Sequence, residues 1–594
     1  MDTEFAQVNG AGRTIAIIRL VLAWIGTLSI LPYTWGRTIV YWMSQGAPET
    51  SFLQLLIATI AGLAVLTYGV GSKFRHPRTK YVLLGCVVAS WLAANVALIW
   101  TNSGTVISRF SLLPGFLPAT LFVLWLGWIA FLPWSWRRRF FVTCATAVLL
   151  IPFLMIYRVA GLTGDGKVDF AFRTTAQRTF AADKKPQAND AVDPAEHTLN
   201  VTPGDFPQFL GPDRNGVITG VNLARDWEAN PPQLLWRKPV GYGWSGFSIV
   251  GDYALTQEQR NERECVVCYD INTGDEIWVH SDDAFYDSTL GGPGPRGTPT
   301  VRDNRVYTWG ATGVLDCLDG STGETIWSKN ALQEADANNL TYGTSSSPLV
   351  TDTLVMIGLT GGEHPALVGY DRETGEQVFA AGEWKTSYSS PILVNVDGVP
   401  QVLNFTRNGL LSHDPETGQV LWQHKFGNDQ GINASQPLMV PGRDDQIFLS
   451  SGYGVGSELI TVKQTDGKWN ITSEWTSRRM ATKFTTAVID GDYVYGLDNG
   501  IFACISLKTG KHVWKKGRYG HGQVLQVGDL ILVQTEKGPV VLVDPDPEKL
   551  IELGRIPALS SKTWNTLAYA HGKLLVRNDL EAVCYELPLA KSAE

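Results

Sequence analysis

Charged side chains are scarce, at 18% of the 594 residues, against roughly a quarter in soluble domains. Part of the chain therefore avoids water. Basic residues are not in surplus either: 49 Lys and Arg face 57 Asp and Glu, for a net charge of −8. That balance excludes a generally basic nucleic-acid binder. The seven cysteines are too few and too scattered for a disulfide framework. No Cys-x-x-Cys-His haem attachment sequence occurs, so no built-in electron acceptor follows. Glycine, by contrast, is plentiful at 60 residues, and 21 Trp and 19 Tyr accompany it. Such a mixture fits many short strands joined by tight turns.

The long apolar runs are confined to residues 1–160. Five segments, 14–35, 52–71, 80–100, 116–134 and 140–157, are long enough to cross a bilayer as helices. Tyr33, Trp35, Trp100, Trp134 and Trp136 stand at their ends, where amphipathic rings favour the headgroup zone. Lys73, Arg75, Arg78 and Lys80 fill the second loop and Arg137, Arg138 and Arg139 the fourth, whereas the first and third offer only Arg37 and Arg109. Basic short loops stay inside. The N-terminus is thus expected in the cytoplasm, the bundle in the inner membrane, and everything after about residue 160 in the periplasm. Arg19 is the only charge within the spans, near an end where it can snorkel. With no intramembrane carboxylate or histidine, an anchor is favoured over a transport path. Residues 161–205 are polar and aperiodic and read as a flexible tether.

Beyond the tether the sequence repeats. The unit ends in Asp-x-x-Thr-Gly-x-x-x-Trp or a close variant: YDINTGDEIW at 269–278, LDGSTGETIW at 318–327, YDRETGEQVF at 370–379, HDPETGQVLW at 413–422 and ISLKTGKHVW at 505–514. A looser copy ends at Trp475, and a degenerate one runs through VDPDPEKLIELG. Alternating runs such as RVYTWG predict half-buried strands. In the turns, Gly274, Gly323, Gly375, Gly418 and Gly510 supply positive φ, and Trp278, Trp327, Trp422 and Trp514 are apolar plugs between neighbouring sheets. The aromatic slots from Trp236 to Trp514 lie 39 to 53 residues apart, the spacing of a four-stranded propeller blade. After the last slot three strands remain, and Trp236 marks a fourth without its inner three. Joining the two closes a ring of eight blades over residues 206–588, followed by a short tail at 589–594. The fold class is therefore an N-terminal α-helical membrane bundle plus an all-β eight-bladed propeller.

This repeated turn resembles the pyrroloquinoline quinone (PQQ) repeat family. That family includes quinoprotein alcohol and glucose dehydrogenases and the non-catalytic outer-membrane assembly factor of the BamB type. FPQFLGPDRNG at 206–216 is similar to the lead-in of such propellers. The motif is the blade scaffold rather than a site, so the resemblance speaks for fold more than for activity.

Two constellations were candidates for chemistry. Cys268, Cys317, Cys504 and Cys584 occupy one slot in different blades, and Cys265 and Cys268 point to opposite faces of a strand; all read as small buried hydrophobes. The adjacent cysteine pair of the family's alcohol dehydrogenases is missing. The second candidate is the channel. Aligning the first strands gives a ring of Ser245, Arg296, Ser345, Tyr388, Ala434, Phe484, His521 and Trp564, with Asn433 and Lys483 one residue earlier. Arg296, Tyr388, Asn433, Lys483, His521 and Trp564 make a candidate small-ligand or anion site at the channel mouth. The next ring, from Gly246 to Asn565, is mostly small, as crowding at an axis requires. The aligned ring holds no carboxylate, and no metal ligands or catalytic residues are assigned. QEQRNERE at 257–264 reads as a projecting polar hairpin, and Asp282–Asp283 as part of a solvated turn.

Two functions follow. The favoured one is a membrane-embedded, non-catalytic scaffold that offers propeller loops to envelope protein partners, with no cofactor and no nucleic acid. The alternative is a PQQ-dependent membrane dehydrogenase of sugars or alcohols, using PQQ with Ca²⁺, since membrane glucose dehydrogenases resemble the same five-span and propeller arrangement.

Overall fold

The computed structural model describes residues 197–288, 291–359 and 365–590, the short stretches 157–164 and 168–172, and isolated positions between 135 and 145. The five candidate spans lie outside the described residues, apart from those isolated positions. Among the described residues no helix is long and apolar enough to cross a membrane. The chain divides into two compact units, residues 1–160 with 170–176, and residues 161–169 with 177–594. The second unit is the propeller.

Eight antiparallel sheets follow one another along the chain. The first holds Ser248–Val250, Tyr253–Arg260, Arg263–Asp270 and Glu276–Asp282, and successive blades repeat that order from the axis outward. The eighth is composite. Its strands Ala568–Ala570, Lys573–Arg577 and Glu581–Glu586 are completed by Gln233–Pro239, so the ring closes as the repeat count requires.

Each blade locks onto the next through the Trp slot. In the first blade's turn the Asp270 carboxylate accepts the Asn272 and Thr273 N–H groups, and the Gly274 N–H bonds the Asp270 carbonyl. The five turn glycines have φ between 65° and 72°, a conformation L side chains resist. A Cβ on Gly274 would also strike Trp236, and one on Gly323 would strike Trp278. The indoles reach across the seam as well: Trp236, Trp278, Trp327, Trp475 and Trp514 each donate Nε1–H to a backbone carbonyl of the following blade. Trp422 instead donates to Gln401 in its own blade, because the next blade ends in extended strands joined at Asp466 and Gly467 and offers no such turn.

Directly opposite most of these Trp stands a small residue, whereas Trp475 faces Leu459. Cys268 faces Trp278, Cys317 faces Trp327, Cys504 faces Trp514 and Cys584 faces Trp236. These thiols are buried and free, and burial pushes the Cys317 and Cys504 thiols up to about 11. They are packing groups, as read from the sequence. In the seventh blade the slot falls to Gly554, paired with Leu542. There Trp227, from the chain ahead of the first blade, lies against Gly554 and takes the missing plug's place.

The lead-in also closes one end of the channel. Phe206 pairs with Ile249 in the first blade, Pro207 accepts from Val301 in the second, and the fully buried Arg214 donates to Ser347 and Pro348 in the third. Val217–Ile218 then adds a parallel strand to Gln523–Val527 in the seventh. A segment that touches these blades in turn must cross the axis, and it does so where the inner strands end. Packed chain begins ahead of residue 206: Leu199 joins the first-blade core, and buried Asp205 accepts from Gly251 N–H and pairs with His571.

Two sequence readings are corrected. Residues 257–264 do not project. Tyr253–Arg260 and Arg263–Asp270 form a long hairpin in which Gln257, Glu258, Gln259, Arg260 and Glu264 are buried and only the turn is exposed. Glu258 and Arg260 are tolerated because they pair: Arg260 bonds Glu258, Tyr269 and Glu276, and Glu258 lies 3.8 Å from Arg577 of the eighth blade. Asp282 is likewise not part of a solvated turn but ends the strand Glu276–Asp282, next to buried Asp316.

Candidate functional site

Inner strands start at the end of the axis opposite the lead-in. Antiparallel order returns the hairpins between second and third strands to this same end, so it gathers side chains from two kinds of loop. The small ring there is tightly packed: a Cβ on Gly246 would meet Thr566, and one on Gly297 would meet the Ser346 carbonyl.

Around it runs a nearly continuous belt of aromatic rings. Trp244 packs on Trp564 at 4.9 Å between centroids, Trp564 on Phe484 at 5.0 Å, and Phe484 on His521 at 5.7 Å. On the other side Tyr342 packs on Tyr388 at 5.6 Å, with Tyr286 and Tyr453 close enough to bear on the same hydroxyl. Burial first, then these neighbouring phenols, push Tyr388 upward, so its hydroxyl is uncharged at neutral pH. Cations sit on it. Arg296 lies 4.7 Å over Tyr286, Lys483 5.5 Å from Tyr453, and Lys562 4.5 Å over Trp564 and 5.0 Å over Trp244. Such stacking holds a cation without neutralising it.

Of the sequence-predicted residues, Arg296, Tyr388, Lys483, His521 and Trp564 come together in this belt. Arg296 is held in place by the carbonyls of Gly292 and Gly294. Asn433 does not face the mouth. It is fully buried, donating to the Thr406 carbonyl and accepting from the Ser451 hydroxyl, while its own carbonyl takes the Tyr388 and Ser389 N–H groups.

Sequence alignment of first strands missed Trp244, Tyr286, Tyr342, Tyr453 and Glu536, which come from connections and from second-to-third-strand hairpins. Glu536 matters most, because it places a carboxylate where the aligned ring had none. It accepts from the His521 N–H at 3.0 Å and from the Trp564 indole at 3.1 Å. It also accepts the Gly164 N–H at 2.6 Å, while Lys483 donates to the Gly164 carbonyl at 2.6 Å. One residue of main chain is thus gripped at both its donor and its acceptor. A Cβ at Gly164 would collide with the His521 ring, so only glycine fits there.

With that geometry in view, comparison with known proteins is informative about fold and kind. A family model described as outer membrane protein assembly factor BamB matches residues 262–516. The BamB of Yersinia pestis is 26% identical over 302 residues, covering 48% of this chain and 69% of that protein. The BamB of Shewanella oneidensis is 23% identical over 262 residues, covering 42% of this chain and 63% of its own length. Among solved structures, BamB from Moraxella catarrhalis aligns over 61% of this chain and 99% of its own at 15% identity, with a TM-score of 0.45. A europium-containing methanol dehydrogenase aligns at 13% identity over 65% of this chain and 91% of its own, with a TM-score of 0.39. The chain is similar to BamB-type propellers in sequence.

Proposed function

We propose that the chain is a membrane-tethered, extracytoplasmic interaction scaffold whose aromatic mouth takes a segment of an envelope protein partner. The observation that carries this reading is the grip of Lys483 and Glu536 on the main chain of Gly164. A carboxylate and an ammonium spaced to satisfy the N–H and C=O of one residue recognise backbone whatever the neighbouring side chains. The belt adds what a protein interface uses for affinity: large rigid rings with arginine or lysine at their edges. In this reading the chain's own residue 164 stands where partner backbone docks, and its glycine leaves the rings uncovered. The name of the sequence relatives, assembly factors of the outer membrane, and the basic-loop pattern of the N-terminal segments both support an envelope location.

The PQQ-dependent alternative draws on the same mouth, since Glu536 supplies a carboxylate. The donor set fits it poorly. A hard cation such as Ca²⁺ takes six to eight oxygens, and the oxygens of Glu536 already accept three N–H groups. Arg296 spends its donors on two carbonyls.

The scaffold reading is tested by placing a photo-reactive phenylalanine analogue at residue 484 of the full-length chain in its native envelope. Irradiation is expected to give a discrete adduct with another protein. Lys483→Glu combined with Trp564→Ala should reduce that adduct at least about tenfold, since a central aromatic hot spot is worth 2 kcal/mol or more. Cross-linking only within the chain itself would overturn the reading.

A further inference from the structure

We propose that the seam between the first and second blades binds a first-row divalent cation, zinc or manganese, through His280, Asp282 and Asp316. One ligand atom from each residue lies within 4.8 Å of the other two. The arrangement is set by the strands: His280 and Asp282 alternate on Glu276–Asp282 and so share a face. Asp316 comes from Val314–Asp319 in the next blade.

The cluster is short of donors. Asp316 is 1% exposed, and its Oδ1 is buried without a hydrogen-bond partner. Glu264 stands directly across the strand pair from Asp282, is 3% exposed, and has an Oε1 in the same condition. An unpaired buried carboxylate oxygen is costly, and a cation held against Asp316 Oδ1 would relieve that cost. His280 is already aimed, with Nε2 3.2 Å from Asp282 and a further hydrogen bond to the Gly323 backbone. A backbone bond to the ring is the usual way a ligating imidazole is oriented.

The donor chemistry selects the metal. One imidazole with two or three carboxylates suits zinc or manganese, whereas Ca²⁺ and Mg²⁺ prefer oxygen alone. The proposal does not depend on the function assigned to the aromatic mouth. A bound ion would fasten the outer strand of one blade to the third strand of the next, supplementing the Trp278 seam.

The full-length chain, stripped with EDTA and desalted, is titrated with ZnCl₂ and with MnCl₂, and bound metal is counted by mass spectrometry. The expected result is about one equivalent per chain for at least one of the two ions, with a raised Tm, as a site formed only in the folded state requires. His280→Ala and Asp316→Asn should each lower the affinity at least tenfold and abolish the Tm rise. Metal-free Asp316→Asn should keep the parent's circular dichroism spectrum and a single cooperative melt; that readout separates loss of a ligand from loss of the fold. The absence of stoichiometric binding by either ion, or equal binding by parent and variants, would overturn the proposal.

Discussion

A chain that starts at residue 245 is expected to melt well below one that starts at residue 197 and to self-associate. The shorter chain lacks Gln233–Pro239, which pairs along the whole of Glu581–Glu586. It leaves that edge unpaired, and exposed edges template association. It also lacks Trp236, whose indole packs on Gly274 and donates to the Ile271 carbonyl. Loss of a buried Trp alone costs about 3–5 kcal/mol. Trp227 and the axis-crossing segment from Phe206 to Ile218 go with it, so the total exceeds that figure. Trp236→Ala in the longer chain isolates the closure term and should still lower stability by about 3 kcal/mol or more. Equal melting temperatures and a monomeric short chain would show that the eighth blade does not need its first-encountered strand.

Glu258→Gln is expected to destabilise the propeller by about 3–5 kcal/mol, the cost of breaking a buried ion pair from one side. Glu258 has no exposed surface, accepts the Gly241 N–H and the Tyr269 hydroxyl, and stands between Arg260 and Arg577. Glutamine keeps the shape but takes the nearest counter-charge from buried Arg577 and leaves Arg260 with Glu276 alone. Arg577 ties the eighth blade to the first through Thr256, Gln257 and Gly241, so the strain falls on the closing seam. Burial pushes the Glu258 carboxyl up, but Arg260 and Arg577 more than offset this and hold it below its ordinary range. A depressed carboxyl stabilises the fold above its unfolded pKa, about 4.3. That contribution is lost as pH falls through the lower folded value. Denaturant midpoints measured from pH 7 down to pH 3 should therefore fall in the parent and flatten in the variant. Parallel pH profiles would contradict the assignment.

The blade count and ring closure were legible because the Asp-x-x-Thr-Gly-x-x-x-Trp spacing is local. Its turn, its glycine and the plug all lie within one hairpin, and the slot that Trp236 fills could be counted. The slot that Cys268, Cys317, Cys504 and Cys584 share from blade to blade was legible for the same reason. What escaped depends on distant chain segments. Glu258 and Arg260 read as a polar hairpin because their neutralising partner, Arg577, lies more than three hundred positions away. Gly554 looked like a decayed repeat because Trp227 fills its slot from outside the repeat register. Five channel-mouth positions were found because first strands align on small residues. Tyr286, Tyr342, Tyr453 and Glu536 were missed because their connections vary in length, and Asn433 was included because adjacency in sequence does not fix which way a side chain turns.

The central claim is that the mouth binds protein and does not turn over a quinone cofactor. Dye-linked dehydrogenase activity of the full-length chain, after incubation with PQQ and Ca²⁺, tests it most directly over a panel of aldoses and primary alcohols. The account predicts no turnover above the cofactor-free control, because Glu536, the carboxylate set between His521 and Trp564, already accepts three N–H groups and is poorly placed to take the substrate proton or hold the cation. Robust turnover that EDTA abolishes and that Glu536→Gln removes would contradict it and make the mouth a catalytic site.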